Sequence, residues 1–380
     1  MRVAMVSKAL VVGAYQRKAE EIAACGVDLT VLIPPAWQDR RGRQLATRQH
    51  TAGYTLETIP IRLGGNFHLH HYPTLRRKLQ ELRPDIVHMD EEPYNLATWQ
   101  GLSAAAVVGA AGVFFTWQNL FRRYPPPFCW FEQSNYHRAP VAIAGNQAAA
   151  GVLRRKGYAG QVAVIPQFGV DPQVFHPRNG QVEGQTWCTI GYAGGLLPEK
   201  GVDLLIRACA GLHGAWRLRL AGVGDERRRL QALVDELGVT PWVEFIGRVD
   251  SQQMPDFYRS IDVLALPSRS TPSWQEQFGR VLVEAMACAV ATVGSDSGEI
   301  PQVLGPAGLV FPEDDGDALR SHLQRLLDDP VRRRALGEAG RQRVLDHYTM
   351  AHIARQTVDV YRELMGNRKT KPQMDADEHR

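Results

Sequence analysis

The stretch from Glu276 to Ala287, EQFGRVLVEAMA, places two glutamates eight residues apart around a Phe-Gly corner. Apolar residues recur at helical spacing after the corner, so the sequence predicts a helix with Glu284 on its second turn and Glu276 just before its start. A helix N-terminus offers free N–H groups and the positive end of the helix dipole, which suit phosphate, whereas carboxylates suit sugar hydroxyls. The stretch therefore indicates a pocket for a nucleotide sugar.

Short β-branched runs alternate with helical patterns along the whole chain. Strands are predicted over residues 3–6, 29–33, 85–89, 112–116, 141–144 and 162–165, and again over 189–192, 218–221, 243–246, 262–266, 291–293 and 308–311. This alternation is typical of α/β proteins with parallel sheets and crossover helices, and it predicts two doubly wound sheets. Ligands bind beyond the carboxyl ends of such strands, so two facing sheets are expected to form an interdomain cleft.

The opening stretch resembles the E-x7-E signature of the retaining glycosyltransferases of family 4, in group 1 of the glycosyl transferases. Three more segments resemble motifs of that family in the same order: Gly191–Gly201 its G-R-L-x-x-x-K-G turn, Ile261–Ser268 its DV-x-x-x-PS strand, and Gly294–Pro301 its G-G-I-P turn. The resemblance covers most of residues 185–315 and is weaker in the first 180 residues. It implies a GT-B fold, in which two Rossmann-like domains face a cleft, and sugar transfer with retention of anomeric configuration.

A polar segment without periodicity, near residues 175–185, predicts a domain boundary. The sequence then divides into an N-terminal acceptor-binding Rossmann-like domain over residues 1–178 and a C-terminal donor-binding Rossmann-like domain over 185–348. The resemblance implies that residues 349–366 form a helix that crosses back to the N-terminal domain. Residues 367–380 lack apolar periodicity and are predicted to be a disordered tail.

Composition limits the remaining classes of protein. A chain of 380 residues with 44% hydrophobic content is long enough for two cores, and 44 basic against 40 acidic residues is too mild an excess to indicate nucleic-acid binding. Five cysteines without C-x-x-C spacing favour a reducing cytoplasm and no structural metal. The longest apolar run, Leu102 to Phe115, falls short of the roughly 20 residues that span a bilayer, and no secretory signal fits, so a soluble cytoplasmic protein is expected.

Basic residues cluster at Arg40–Arg43, Arg76–Lys78 and Arg122–Arg123, all in the predicted acceptor-side domain. Such patches favour peripheral contact with the anionic inner face of a membrane, where lipid-linked acceptors lie. Ordinary solvated faces are the alternative interpretation.

The resemblance assigns roles to the donor-side residues. It implies that Glu276 binds hydroxyls of the transferred sugar, together with backbone amides around Phe278 and Gly279, and that Glu284 binds the nucleotide ribose. Lys200 follows a glycine turn and precedes a helical pattern, so its ammonium is expected to reach a diphosphate. Glu276 and Lys200 are the predicted catalytic residues. The alternative is that these side chains are ordinary solvated charges.

Gly195 departs from the family pattern, which has an arginine at this position. An arginine fork neutralises a leaving diphosphate in a bidentate manner, and glycine supplies no such group. Either donor binding is weak or the charge comes from elsewhere, and Arg280 at the start of the phosphate-facing helix is the candidate. An exposed arginine packing outside the site is the alternative.

Several turns complete the predicted donor site. Gly194 and Gly222 lie in glycine turns that follow strands, and the family uses the second turn beside the nucleotide. Arg248 and Val249 end a strand where the family's backbone pairs with the base. In the first domain, Gly13 is the single glycine of the turn that corresponds to the family's glycine-rich loop; its N–H is expected to face the diphosphate, with a simple turn as the alternative.

Polar and aromatic groups at two strand ends of the first domain are candidates for the acceptor side: His88, Glu91, Trp117, Gln118 and Asn119. A core histidine is the alternative for His88. The histidines of segment 66–71 lack a partnering carboxylate or cysteine pattern, so they are interpreted as loop residues and no metal site is predicted.

The sequence thus predicts a GT-B retaining glycosyltransferase that moves a sugar from a nucleoside diphosphate sugar to a hydroxyl acceptor on a sugar, glycolipid or small molecule. Carbohydrate, glycolipid or glycoconjugate biosynthesis is the expected setting, without a metal or other cofactor. A catalytically silent nucleotide-sugar binding protein is one alternative, motivated by Gly195. A dinucleotide-dependent oxidoreductase is another, although the turn at Gly222 lacks the third glycine of G-x-G-x-x-G because Arg227 occupies that position.

Overall fold

The chain forms two compact units. The computed structural model describes residues 1–39, 42–178 and 187–370. Its contacts group residues 1–168 with the chain from Met350 onwards as the first unit, and residues 169–349 as the second.

The first unit contains a parallel sheet of seven strands in the part of the chain that the structure describes, in the order β5-β2-β1-β6-β7-β8-β9. Its strands, with an antiparallel hairpin formed by β3 and β4, are β1 (Arg2–Val6), β2 (Asp28–Ile33), β3 (Ala36–Asp39), β4 (Gly42–Leu45), β5 (Thr55–Thr58), β6 (Ile86–Met89), β7 (Ala111–Thr116), β8 (Val141–Ala144) and β9 (Gln161–Val164). The helices between them are α1 (Arg17–Ala24), α2 (Leu75–Leu82), α3 (Leu96–Val107), α4 (Phe128–Arg138) and α5 (Gln147–Arg155). The six strands predicted for this half are present, whereas β5 and the hairpin were not predicted.

The second unit contains a parallel sheet of six strands among the described residues, in the order β12-β11-β10-β13-β14-β15. The strands are β10 (Cys188–Ala193), β11 (Trp216–Ala221), β12 (Val243–Gly247), β13 (Val263–Leu266), β14 (Ala291–Ser295) and β15 (Leu309–Phe311). The helices are α6 (Val202–Ala210), α7 (Arg227–Glu236), α8 (Met254–Arg259), α9 (Arg280–Ala287), α10 (Ile300–Leu304), α11 (Gly316–Asp328) and α12 (Pro330–His347). Strand order reverses direction between β10 and β13, and this switch point is where open α/β sheets bind ligands.

Both faces of the first sheet are covered, which explains its continuous apolar strands. The C-terminal helix α13 (Met350–Thr370) packs against α1, and its Ile353, Val358 and Tyr361 join the core on that face of the sheet. Leu79 of α2 and Leu102 of α3 join the core on the opposite face. The C-terminal helix therefore completes the first unit.

Two boundaries differ from the predicted ones. Residues 169–178 belong to the second unit, because the Val170 N–H donates to the Tyr348 carbonyl at 2.9 Å and Arg178 Nε donates to the Arg259 carbonyl at 2.6 Å. The polar composition showed where periodicity breaks but not these hydrogen bonds. Helix α13 extends to Thr370, beyond the predicted end at residue 366. The rest of the predicted tail, residues 371–380, lies outside the described residues, as do Arg40 and Arg41 of the first basic cluster.

Candidate active site

Two glycine turns lie side by side at the carboxyl ends of β10 and β11. The Gly194 N–H donates to the Ala221 carbonyl at 3.0 Å, and the Gly222 N–H donates to the Gly247 carbonyl at 2.8 Å. A Cβ on Gly222 would lie 1.7 Å from the Gly194 oxygen. Only glycine at residue 222 allows the two backbones to approach this closely.

Lys200 is positioned by a second close approach. It ends a short 3-10 turn after β10, and the following Gly201 has a left-handed φ of 64°. A Cβ on Gly201 would lie 2.0 Å from the carbonyl oxygen of Pro267, at the end of β13. The absence of a side chain at residue 201 therefore lets the turn that carries Lys200 lie against β13, at the switch point of the sheet.

Lys200 and Glu276 form an ion pair at this switch point. The Lys200 Nζ lies 2.8 Å from Glu276 Oε2, and the Ser268 hydroxyl donates to the same oxygen at 3.1 Å. The ammonium also lies 4.3 Å from the ring centroid of Trp274. The side chains of Lys200 and Glu276 are 19% and 13% exposed, so the pair is largely shielded from water but still reachable by a ligand.

Helix α9 begins at the corner that the sequence predicted. Gly279 immediately precedes the helix and has a φ of 71°. A Cβ on Gly279 would lie 3.1 Å from Leu282 Cδ1. Phe278 is buried and packs edge-on against Tyr348, with ring centroids 5.8 Å apart. The Glu299 N–H donates to the Glu276 carbonyl at 3.1 Å. These contacts fix the segment between Glu276 and the helix start.

Glu284 is buried, and both of its carboxylate oxygens have partners. The Tyr258 hydroxyl donates to Oε2 at 2.7 Å, and Arg280 Nε lies 3.0 Å from Oε1. Burial, with the nearby Glu284 charge, raises the pKa of the Tyr258 phenol well above its usual value, so this hydroxyl stays a donor. Arg280, predicted to face a diphosphate, pairs in this structure with Glu284 one turn along the same helix, and 42% of its side chain is exposed.

Gly195 leaves room for a side chain. Its carbonyl accepts a hydrogen bond from the Tyr192 hydroxyl at 2.7 Å. A Cβ at residue 195 would lie 3.4 Å from Leu197 Cδ1, which is an ordinary van der Waals contact. The departure from the family's arginine is therefore not forced by packing at the Cβ. Arg248 and Val249 follow β12, with Arg248 exposed and Val249 half-buried.

The Gly13 N–H has a protein partner in this structure. Its N–H donates to the Thr47 hydroxyl at 2.9 Å, and a Cβ at this position would lie 2.6 Å from Gln49 Cγ. A side chain from a distant segment of the same unit therefore accepts this N–H, and the predicted contact of Gly13 with a diphosphate stays a prediction. Sequence spacing gave no sign of the contact with Thr47.

His88 and Glu91 lie inside the first unit. His88 is fully buried, its Nδ1 lies 2.6 Å from the Tyr361 hydroxyl, and burial lowers its pKa to about 4. Glu91 is buried in an ion pair with Lys8, and its Oε1 lies 3.5 Å from His70 Nε2. The core alternative for His88 is the correct one, and Glu91 is corrected from an acceptor contact to a buried partner of Lys8.

The other acceptor-side candidates lie after β7, beside the half-buried carboxylate of Glu92. Glu92 accepts hydrogen bonds from the Thr116 hydroxyl at 2.6 Å and from the Trp117 N–H at 2.8 Å, and burial raises its pKa. Gln118 is nine-tenths buried and accepts from Lys156 Nζ at 3.0 Å. Trp117 and Asn119 are partly exposed. These last two side chains therefore stay candidates for contact with an acceptor.

Sequence reasoning missed the residues that hold the site together. Ser268 ends the segment Ile261–Ser268, which resembles the DV-x-x-x-PS motif of the family, so the sequence did carry a signal for this residue. Tyr258 and Trp274 had no such signal, because their contacts join segments distant along the chain. Lys8 lies two residues after the end of β1, and burial lowers its pKa to about 8, although the charges of Glu92 and Asp90 act to raise it.

Neither a metal cluster nor a membrane-spanning helix is seen in the described ranges. Across residues 1–39, 42–178 and 187–370, no three His, Cys, Asp or Glu side chains come together in a way that could hold a metal ion. Within the predicted histidine loop, His70 Nδ1 lies 3.0 Å from the Asn66 carbonyl oxygen. None of the helices in these ranges is long and apolar enough to cross a bilayer.

Two doubly wound parallel sheets, with a lysine–glutamate pair at the switch point of the second, define a GT-B protein. Solved structures of low sequence identity share this fold. Sucrose-phosphate synthase from Thermosynechococcus elongatus matches with a TM-score of 0.72 and 21% identity, covering 97% of this chain and 100% of that one. HepE from Anabaena, in complex with UDP, matches with a TM-score of 0.73 and 18% identity, covering 96% and 100%.

The sequence profile described as "Glycosyl transferases group 1" matches residues 179–343, and the profile described as "Glycosyl transferase 4-like domain" matches residues 12–167. Together the two profiles match most of the chain. The chain belongs to the group 1, family 4-like glycosyltransferases. Family membership favours the transferase interpretation over both alternatives, the silent binding protein and the oxidoreductase.

Curated relatives match over shorter stretches. The MMP alpha-(1->4)-mannosyltransferase of Mycolicibacterium hassiacum is 34% identical over 207 residues, which are 53% of this chain and 48% of the relative. A GDP-mannose-dependent monoacylated alpha-(1-6)-phosphatidylinositol monomannoside mannosyltransferase of Corynebacterium glutamicum is 34% identical over 191 residues, 46% of this chain and 50% of the relative. The chain thus spans about half the length of these relatives.

Proposed function

We propose that this protein is a retaining glycosyltransferase that moves a sugar from a nucleoside diphosphate sugar to a hydroxyl acceptor. The observation that carries the proposal is the shielded Lys200–Glu276 pair at the switch point of the second sheet. A cation and a carboxylate at one point match the two chemistries of the donor, since the cation suits phosphate and the carboxylate suits sugar hydroxyls. Family membership and the names of the relatives support the same activity.

Each donor-side residue has a role in this proposal. Lys200 Nζ exchanges the carboxylate of Glu276 for the donor diphosphate, which releases the carboxylate to accept hydrogen bonds from sugar hydroxyls. The glycine turns at Gly194 and Gly222 allow backbone to approach the nucleotide closely, and Arg248 and Val249 flank the base. Glu284 binds the ribose, because Tyr258 fixes one of its oxygens and a carboxylate oxygen has a second lone pair available.

The chemical contribution of the chain is electrostatic. Negative charge develops on the diphosphate as the bond to the sugar breaks, and a preorganised ammonium beside a helix N-terminus stabilises that charge. Independence from a metal ion is part of the proposal. No carboxylate of this chain is assigned as a nucleophile; retention of configuration is carried over from the family.

The proposed acceptor contacts lie in the first unit. Trp117 and Asn119, which are partly exposed after β7, are the proposed contacts to the acceptor hydroxyl compound. Trp117 Nε1 donates to Gln167 Oε1 at 2.9 Å, which holds the indole in place as a surface for stacking against a sugar. Peripheral contact of the basic patches of the first unit with a membrane is a second part of the proposal, and it would present lipid-linked acceptors.

A thermal-shift screen tests the donor side. The full chain is heated with GDP, UDP and ADP, with the matching diphosphate sugars, and with NAD as the contrasting ligand. GDP-mannose belongs in the panel because one relative is GDP-mannose-dependent by name. A ligand present at 100 times its dissociation constant stabilises the fold by about 2.7 kcal/mol, which is readily detected. Stabilisation by NAD alone, or by none of these ligands, would contradict the proposal.

The silent-binding alternative predicts a different pattern. Such a protein would be stabilised by a donor sugar but would release no diphosphate from it with any acceptor. The observation that favours this alternative is Gly195, together with the Gly13 N–H already bonded to Thr47. Release of nucleoside diphosphate from the stabilising donor would show that the protein is an enzyme. This release should be abolished in Glu276→Ala and retained in the exposed control Glu244→Ala.

A further inference from the structure

The first unit carries a patch of exposed aromatic rings and arginines on α3, α4, α5 and the loop between β7 and α4. We define the aromatic–arginine patch by its exposed members: Trp99, Phe121, Arg122, Arg123, Trp130 and Arg155. Trp130, on the first turn of α4, is 65% exposed, and Phe121 is 37% exposed. Large apolar rings left in water in one region mark an interaction surface.

The patch has two parts, one around Trp99 and one around Phe121, and both lie close to His68, whose ring centroid is 4.9 Å from that of Phe128 and 5.8 Å from that of Tyr124. Trp99 of α3 contacts Phe131 of α4, with ring centroids 5.6 Å apart, and Phe131 contacts Phe128 at 6.4 Å. On the other side, the Arg155 guanidinium lies 4.6 Å from the ring centroid of Phe121. The half-buried Phe131 therefore supports Trp99, and the arginine stack supports Phe121.

The exposed charged residues between Pro93 and Phe168 are all basic. Between Pro93 and Phe168 the sequence contains a single acidic residue, Glu132. Six basic residues lie in the same stretch: Arg122, Arg123, Arg138, Arg154, Arg155 and Lys156. Glu132 is buried and pairs with Lys156 Nζ at 2.6 Å, so it does not offset the surface arginines. The formal charge of the whole chain is only +4, so this stretch carries all of the excess positive charge.

We infer that the aromatic–arginine patch docks the protein on a bilayer of anionic phospholipids. Tryptophan rings favour the headgroup level of a membrane, where apolar rings enter the boundary of the acyl chains and arginines pair with phosphates. A second copy of this chain is a poor occupant, because a two-fold contact would bring two positive patches together. The inference deepens the membrane contact proposed above and assigns it to particular residues and lipids.

Vesicle co-sedimentation of the full chain tests the inference. We expect binding to phosphatidylcholine vesicles that contain phosphatidylglycerol, little binding to phosphatidylcholine alone, and weaker binding at high salt. In Arg122→Gln/Arg123→Gln the affinity should fall about five-fold for each arginine. In Phe121→Ser/Trp130→Ser it should fall about ten-fold or more, since both rings leave the interface.

Matched control variants in the second unit separate the patch from general effects. Arg332→Gln/Arg334→Gln removes two exposed arginines of α12, and Trp242→Ser removes a tryptophan that is 41% exposed. Both controls should bind vesicles as the wild type does. Absence of wild-type binding, equal binding to neutral vesicles, or patch variants that bind normally would overturn the inference. Light scattering that shows a patch-dependent dimer without vesicle binding would assign the surface to a second copy instead.

Thermal shift with the nucleoside diphosphate panel keeps this test apart from the proposed function. The patch variants should show the same stabilisation by ligand as the wild type, because none of these residues belongs to the donor site. Normal ligand shifts without vesicle binding would refute the patch alone, and vesicle binding without any ligand shift would refute the proposed transferase alone.

Discussion

Replacing Glu276 with glutamine separates the two halves of the proposed donor site. The substitution keeps the shape of the side chain and an oxygen that can accept from Ser268, but it removes the charge that now neutralises Lys200 across 2.8 Å. Released from its partner, the ammonium keeps its contact with Trp274 at 4.3 Å and becomes free to meet an anionic ligand. We therefore expect nucleoside diphosphate affinity to stay equal or to rise.

The magnitudes follow from burial. A charge-assisted hydrogen bond contributes about 1.5 to 3 kcal/mol, and the cation–π contact and partial exposure of Lys200 offset part of that loss. We expect a loss of roughly 1 to 2 kcal/mol in unfolding free energy for Glu276→Gln, which lowers the Tm of the second unit by roughly 2 to 8 °C. Glu244→Gln is the matched control, because Glu244 pairs with Arg219 at the same 2.8 Å but is 59% exposed. Its cost should stay below about 0.5 kcal/mol.

Two measurements test the functional effect of Glu276→Gln. Calorimetry gives the affinity for the stabilising nucleoside diphosphate, and the rate of nucleoside diphosphate release from the corresponding donor sugar gives the activity. Glu276→Gln should slow release by roughly ten- to 150-fold, since bonds of about 1.5 to 3 kcal/mol to the sugar are lost, while diphosphate binding persists. Lys200→Met should weaken diphosphate binding by a similar factor. If Glu276→Gln lost as much diphosphate affinity as Lys200→Met, the assignment of Glu276 to the sugar would be refuted.

Three more predictions follow from the same contacts. Diphosphate release should be unchanged by EDTA, because protein groups neutralise the leaving group; loss of turnover that magnesium or manganese restores would contradict this. Arg280→Ala should weaken donor binding and Gly195→Arg should recover part of the loss, with a coupling of about 0.5 kcal/mol or more in a double-mutant cycle; additive effects would leave Arg280 as a partner of Glu284 only. Burial lowers the pKa of His88 to about 4, so the unfolded state binds more protons between about pH 6.5 and 4, and stability falls as pH falls through that window. Urea titration measures the difference in unfolding free energy between the wild type and His88→Gln. This difference should narrow by up to about 3 kcal/mol on acidification. A difference independent of pH would show that His88 does not stay neutral.

Much of the second unit was predictable because its signals are local. The Phe-Gly corner and the apolar periodicity after it predicted helix α9 with Glu284 on its second turn, and the structure has both. Parallel strands that are buried on both faces give continuous apolar runs, so the twelve predicted strands were found. The edge strand β5 and the hairpin β3–β4 were missed, since their half-exposed and exposed residues lack such runs.

Contacts between distant segments were not predictable from the sequence. The Gly13 N–H, predicted to face a diphosphate, donates in this structure to Thr47, from a loop 34 residues away. Glu91 looked like a polar residue at a strand end, yet Lys8 and His70 enclose it. In each case a partner far along the chain satisfied the polar group, and no local pattern encodes that partner.

The sequence by itself determined the family, the two sheets and the residue types of the donor site, because motif spacing and periodicity are properties of neighbouring residues. Only the tertiary structure decided which charges meet. Lys200 and Glu276 are 76 residues apart, and Tyr258 and Glu284 are 26 apart, so their pairing depends on how β10, β13 and α9 converge at the switch point. Ionic and hydrogen-bonding partners are set by distance in space, which the tertiary fold establishes.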